Sequence, residues 1–250
     1  MPSPVPSRAT DDAWTPTSDP DGRFSTGIPD FDRLSGGGFQ RGSLALFNLD
    51  ETVTQDDRDL LFTPTFLNFL YQSRGMIAVL PTRDSPHGFR ARLTRFATRR
   101  RFDARVRIID YVGEDSEEAY VVSLVPLSDR KKAMAKMEGA ERAAMGVRRK
   151  PFLELNAFEV IELIVGGEAA GKMFFHGIKR ARIVGNLVIG LLRPGLACAD
   201  AVRGMADAEF QLSHDEVGLR LRGVRPGFPD HLVTVDPKRG APHVAFVPRP

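Results

Sequence analysis

Cysteine is almost missing from this chain: Cys198 stands alone among 250 residues. A single thiol excludes an internal disulfide and a cysteine-built zinc site. The histidines (His87, His176, His214, His231 and His243) include no i, i+4 pair and have no cysteine neighbour, so a histidine zinc site is not expected either. No stretch approaches the ~18 apolar residues of a membrane helix, and no G-x-S-x-G pattern marks a hydrolase nucleophile elbow. What is present fits a globular protein. Apolar residues make up 42 % of the chain, enough to fill one core of this size.

Residues Met1 to about Gly22 are rich in Pro, Ser, Asp and Thr, and Trp14 is their one large apolar group. They read as a disordered leader without the apolar segment of a secretory signal, and 23–250 as a single domain in a soluble, cytoplasmic protein. Net charge is only +3 but unevenly spread. Arg90, Arg92, Arg95, Arg99, Arg100, Arg101, Arg105 and Arg107 form one basic stretch, and Arg130 to Lys150 a second. Glu114, Asp115, Glu117 and Glu118 lie between them as an acidic patch. The first stretch, with Arg92, Arg95 and Arg99 foremost, reads as a nucleic-acid or acidic-partner surface. It also reads as a solvated helix face, since Leu93 and Phe96 sit three apart and no aromatic platform is interleaved.

Apolar runs predict strands over Ser43–Phe47, Met76–Leu80, Val106–Tyr111, Phe152–Asn156, Asn186–Leu192 and Ala208–Ser213. Shorter alternating ones follow at Gly218–Arg222, His231–Val235 and Val244–Val247. Helical patterns cover Leu60–Gln72, Gly88–Arg99, Asp129–Val147, Phe158–Ile164, Glu168–Arg182 and Ala199–Met205. This alternation predicts an α/β fold with a mainly parallel central sheet, helices on both faces and an antiparallel C-terminal extension. Ligands of such folds bind at the carboxyl ends of the strands. Arg225 to His231 reads as a turn between terminal strands.

The first strand candidate is preceded by Ser25-Thr26-Gly27-Ile28-Pro29-Asp30-Phe31-Asp32-Arg33-Leu34 and by Gly36-Gly37-Gly38-Phe39-Gln40-Arg41-Gly42-Ser43. After it, where a phosphate loop needs glycines, a lysine and a hydroxyl, stand Asn48-Leu49-Asp50-Glu51-Thr52-Val53-Thr54-Gln55-Asp56-Asp57-Arg58-Asp59. The leading pattern resembles the RecA superfamily, and within it the KaiC-like branch. Further matches follow in the same order: Pro81-Thr82-Arg83-Asp84-Ser85 on a catalytic-glutamate segment, and Ala206 to Leu212 on a late strand. The resemblance covers two-thirds of the chain. It implies a RecA-like fold with Ser43–Phe47 central, beside Met76–Leu80 or Phe152–Asn156.

Carried over residue by residue, the resemblance implies a degenerate ATP-binding loop at Asn48, Asp50, Glu51, Asp56, Asp57 and Asp59. Asp56, Asp57 and Asp59 also suit a helix N-terminus, where they would repel a triphosphate. Arg83 occupies the position of the glutamate that activates water, and a guanidinium cannot act as a general base. Asp84, one residue over, reads as part of a helix cap. Glu154 is the nearest match to the magnesium-linked acid. Gly166-Gly167-Glu168-Ala169-Ala170-Gly171-Lys172-Met173 imitates G-x-x-x-x-G-K but ends on a methionine, which cannot bind magnesium. Lys172 is retained as a candidate phosphate contact. The other reading of that segment is a loop into a helix with Met173, Phe174, Ile178 and Ile183 on its core face.

Two function classes remain. One is a non-catalytic KaiC-like protein, without cofactor, that regulates or assembles with a protein partner: a second copy or an active paralogue. The resemblance implies such roles, with gas-vesicle, signalling and recombination-mediator types among the family. The other is an ATP- and Mg²⁺-dependent switch with a non-standard phosphate site. A nucleic-acid-binding mediator is a further alternative, and no membrane association is expected.

Overall fold

The computed structural model describes residues 14–111, 118–124, 130–146 and 150–249; of 130–134 only the backbone is described. In chain order the elements are β1 (Arg23–Phe24), α1 (Pro29–Leu34), β2 (Phe39–Gln40), β3 (Leu44–Leu49), α2 (Gln55–Tyr71), β4 (Met76–Val79), α3 (Pro86–Leu93) and α4 (Arg99–Arg105). Then come β5 (Val106–Asp110), β6 (Val121–Ser123), α5 (Arg130–Met145), β7 (Leu153–Ala157), α6 (Phe158–Val165), α7 (Gly167–Val184), β8 (Leu187–Leu192) and α8 (Ala199–Met205). Four strands complete the chain: β9 (Ala208–His214), β10 (Leu219–Arg225), β11 (Gly227–Val235) and β12 (Val244–Pro248).

Ten strands form one sheet in the order β12-β11-β10-β9-β3-β8-β7-β4-β5-β6. From β9 to β6 neighbours run parallel, and β10 to β12 extend the sheet antiparallel. Alternation along β3 divides two cores. Ala45, Phe47 and Leu49 face one, with Phe31, Phe62, Phe66 and Phe102; Leu44 and Leu46 face the other, with Phe158, Phe174 and Val202. Helices therefore cover both faces, as a sheet with fully buried central strands requires. β3 is central as expected, but its neighbours are β8 and β9, not Met76–Leu80 or Phe152–Asn156. The crossover through α2 carries the chain past the places that β7 and β8 later fill.

The first core is built on phenylalanine. Phe31 lies within 6.5 Å, centroid to centroid, of Phe39, Phe47, Phe210, Phe228 and Phe246. On the other face, a Cβ on Gly190 of β8 would lie 2.6 Å from the ring of Phe158, so only glycine lets α6 seat that ring on the strand.

The motif leading into β3 is held by one carboxylate. Asp32 accepts from Ser25 Oγ, from Thr26 N at 2.8 Å and from Thr26 Oγ1 at 2.7 Å. Gly36, Gly37 and Gly38 all have positive φ, and Gly37 and Gly38 return their amides to the Asp32 carbonyl. The Ser-Thr-Gly and Gly-Gly-Gly signatures are thus two sides of one turn.

Several expectations are corrected. Residues 1–13 lie outside the described residues, but 14–22 pack on the domain. Trp14 is 3 % exposed and stacks on His243 at 4.8 Å, Thr17 N donates to Asn68 Oδ1, and Asp19 pairs with Arg74. The polar composition hid this because one aromatic and a set of hydrogen bonds centred on Thr17 and Asp19 anchor the strap. The basic stretch is divided by Thr98, which caps α4 by accepting from Arg101 N. The reading of Arg225–His231 as a turn yields to strand: only the Pro226 link separates β10 from β11. On α7, Phe174 and Ile178 are buried, whereas Met173 is 43 % and Ile183 78 % exposed. Glu114, Asp115 and Glu117 lie outside the described residues.

Candidate functional site

The carboxyl ends of four adjacent strands converge on a cleft of about 680 Å³. The loop after β3 supplies Glu51 to Thr54, with Gln55 and Arg58 from the first turn of α2. Pro81, Thr82 and Arg83 follow β4, Glu159 follows β7 and Arg193 follows β8. This is where an open α/β sheet places its ligands. The loop itself is closed to them. The amide of Asp50 donates to Leu212 O, that of Thr52 to Asp50 Oδ1, that of Val53 to Asp50 O and that of Thr54 to Asp57 Oδ2. Asp57 N returns a bond to Thr54 Oγ1, completing a capping box. Thr52 also exchanges hydrogen bonds with the backbone of His214 on β9. No residue from 43 to 72 has positive φ, so the alternating turn of a backbone anion nest is not formed. Two carbonyls of the loop, at Asp50 and Val53, accept from the Arg193 guanidinium at 3.4 and 3.3 Å.

The acidic residues of the segment serve structure. Asp50 and Asp57 fix the loop and the cap, and Asp56 lies in the first turn of α2. Asp59 pairs with Arg92, and burial pushes its carboxyl up to about 6. Asn48 is buried and joins β3 to β9 and α8 through Glu209, the Phe210 carbonyl and Arg203. Glu51 alone of the six lines the cleft, so a wall of carboxylates facing the phosphate position is not the arrangement found. The prevailing charge is positive, with Arg58, Arg83 and Arg193 against Glu51 and Glu159.

The remaining sequence candidates divide. Arg83 lines the cleft. Asp84 sits behind it as a buried hub, accepting from Gln55 and from Arg92 at 2.8 Å, with Arg58 at 3.9 Å; Ser85 beside it caps α3. Glu154 stands apart, in the amino-terminal half of β7, where its carboxylate accepts from Asn186 Nδ2 at 3.1 Å. Burial pushes its pKa from 4.5 up to about 7. Lys172 pairs with Glu168 on the exposed face of α7 and does not line the cleft. Of the arginine stretch, Arg90 binds Asp103, Arg92 binds Asp84 and Asp59, Arg101 lies over Tyr71, and Arg105 and Arg107 donate to carbonyls. Arg95, Arg99 and Arg100 remain exposed.

Arg58, Glu159 and Arg193 were missed by sequence reasoning. They are separated by up to 135 positions and meet only through strand order. The one available signal was a charged residue directly after an apolar strand, as Arg193 follows Leu187–Leu192.

A KaiC-like protein of Pyrococcus horikoshii superposes on 90 % of this chain and 99 % of its own, with a TM-score of 0.60 at 16 % identity. The fold is KaiC-like. A family model described as GvpD basic region 2 matches residues 13–135 of this chain, a span that contains the arginine stretch. Two proteins of Halobacterium salinarum are similar to it: Protein GvpD2, 32 % identical over 128 residues, and Protein GvpD1, 34 % identical over 109. The alignments take in 50 % and 43 % of this chain, but only 25 % and 20 % of those longer relatives. Among the described residues no helix is long and apolar enough to cross a membrane, and no cluster of His, Cys, Asp and Glu is suited to a metal ion.

Proposed function

We propose that this KaiC-like chain is a non-catalytic regulatory or assembly protein, acting through protein–protein contacts in the cytoplasm and not through ATP turnover. The observation that carries the reading is the loop after β3. Amides that would have to close on phosphate oxygens already bond within the loop, to the capping box and to β9, and no lysine stands among residues 48–59. Arg83, at the position the resemblance gives to the water-activating glutamate, cannot take a proton. Similarity to GvpD1, GvpD2 and a model named for a basic region supports a regulatory role with a protein partner, either a second copy or an active KaiC-like paralogue. The nucleic-acid alternative has less footing, because five of the eight arginines in the stretch are engaged by the fold.

Calorimetry with ATP and Mg²⁺ is expected to show no binding tighter than about 1 mM, while light scattering at micromolar concentration shows more than a monomer or a complex with the added paralogue. A micromolar dissociation constant for ATP would overturn the reading.

A further inference from the structure

The cleft contains polar groups that the fold leaves unanswered. Arg58 is 6 % exposed and lines the cleft wall; its guanidinium has Asp84 at 3.9 Å, but its Nε, like the buried Glu159 Oε2, has no hydrogen-bond partner among the described residues. Arg83 has neither an ion pair nor a hydrogen bond among the described residues. Arg193 engages only carbonyls. Three guanidinium groups and two carboxylates, Glu51 and Glu159, therefore line an open volume, and among the described residues no ion pair joins them to one another. A buried donor or acceptor left without a partner destabilises the fold, and such a group calls for an explanation, of which a bound ion is one.

We propose that the cleft binds a small oxyanion that carries its own hydrogen-bond donor, namely free inorganic phosphate, gripped by Arg58, Arg83 and Arg193 with its hydroxyl given to Glu159. This differs from phosphate capture by backbone amides. The anion is held by planar side-chain forks, which match tetrahedral oxyanions well, and the engaged loop amides take no part. Burial lowers the pKa of Arg58, Asp84 opposes that shift and Arg193 adds to it, so an anion between the two arginines relieves the repulsion between them. Glu159, whose buried Oε2 is unpartnered among the described residues, supplies the acceptor that selects a protonated oxyanion over an unprotonated one. The site goes beyond the regulatory reading and does not depend on it.

The test is titration of the full chain with inorganic phosphate, glycerol phosphate and sulfate at neutral pH. Phosphate keeps a P–OH there and sulfate has none, so phosphate is expected to bind roughly tenfold more tightly than sulfate. Glycerol phosphate, at neutral pH largely the dianion without a P–OH, is expected to bind as weakly as sulfate, and binding as tight as that of free phosphate would overturn the proposal. Glu159→Gln should reduce the preference for phosphate over sulfate, and Arg83→Gln should weaken both anions roughly tenfold. Arg83 is exposed, so that variant keeps the fold even if Arg58→Gln does not. Arg95→Gln, outside the cleft, should change nothing. Equal binding of phosphate and sulfate, indifference to Arg83→Gln and Glu159→Gln, or no binding at about 10 mM phosphate would each overturn the proposal.

Discussion

The segment leading into β3 and the segment leaving it use the same ingredients in opposite ways. Before the strand, Asp32 gathers the hydroxyls and an amide of Ser25 and Thr26, and the three glycines turn so that backbone groups meet their partners. After it, Asp50 and Asp57 quiet the loop amides, yet Arg58, Arg83 and Glu159 beyond them are left facing a cleft. The recognisable motif therefore marks a scaffold turn, whereas the chemistry sits in side chains with no motif. A family pattern can persist in one segment while the neighbouring segment takes on different work.

The strongest way to break this contrast is to remove its anchor. Asp32→Ala would strand the buried Ser25 and Thr26 groups and is expected to cost roughly 3–5 kcal/mol in denaturant unfolding. A loss below about 1 kcal/mol would show that the turn does not depend on its carboxylate.

A second experiment sharpens the contrast by probing the far side of the sheet from the cleft. Glu154 has a folded pKa of about 7, raised from 4.5 chiefly by burial, with Asn186 and Arg180 pulling it down and Glu141 pushing it up. Its neutral form is the one the fold favours. The contribution is full below about pH 4.5 and is lost as pH rises through about 7. At higher pH the folded state carries a buried carboxylate, at a cost on the order of 3 kcal/mol. Glu154→Gln should therefore raise the urea midpoint at about pH 8.5 and leave it nearly unchanged at about pH 4. A pH-independent difference would locate the effect in packing.

The smallest expected effect concerns the cap. Thr54→Ala removes the hydroxyl that accepts from Asp57 N and should cost about 1 kcal/mol. It frees the Asp57 amide in the first turn of α2, so ATP affinity measured in parallel tests whether that cap alone keeps phosphate out. No gain is expected, because Asp50 and Leu212 still hold the others.

Much of the fold was legible. β3 and β8 announce themselves as apolar runs and the last three strands by short alternating patterns, and α8 matches its pattern over Ala199–Met205. Strand order was not, since nothing local in Leu44–Leu49 says that Leu187–Leu192 and Ala208–His214 will flank it; long crossovers decide that. β6, with Val121–Ser123, is too short to show a period, and the arginines of 99–101 disguised the start of α4. At the site, the segment 48–59 was located correctly in sequence but its carboxylates were assigned to the cleft. Which way an aspartate turns depends on a cap hydroxyl or a distant partner such as Arg92, and only the folded chain supplies them.

The stitching between Thr52 and His214 has a consequence for cooperativity. Each of the two residues both gives and receives a bond, while Asp50 N continues the ladder onto Leu212 O. The loop is in effect an extra rung of the β3–β9 pairing. Its opening then belongs with the loss of β9 and not with the local fluctuations that surface loops usually show. A displacement of the loop after β3 would consequently be felt along β9 and not confined to the rim of the cleft.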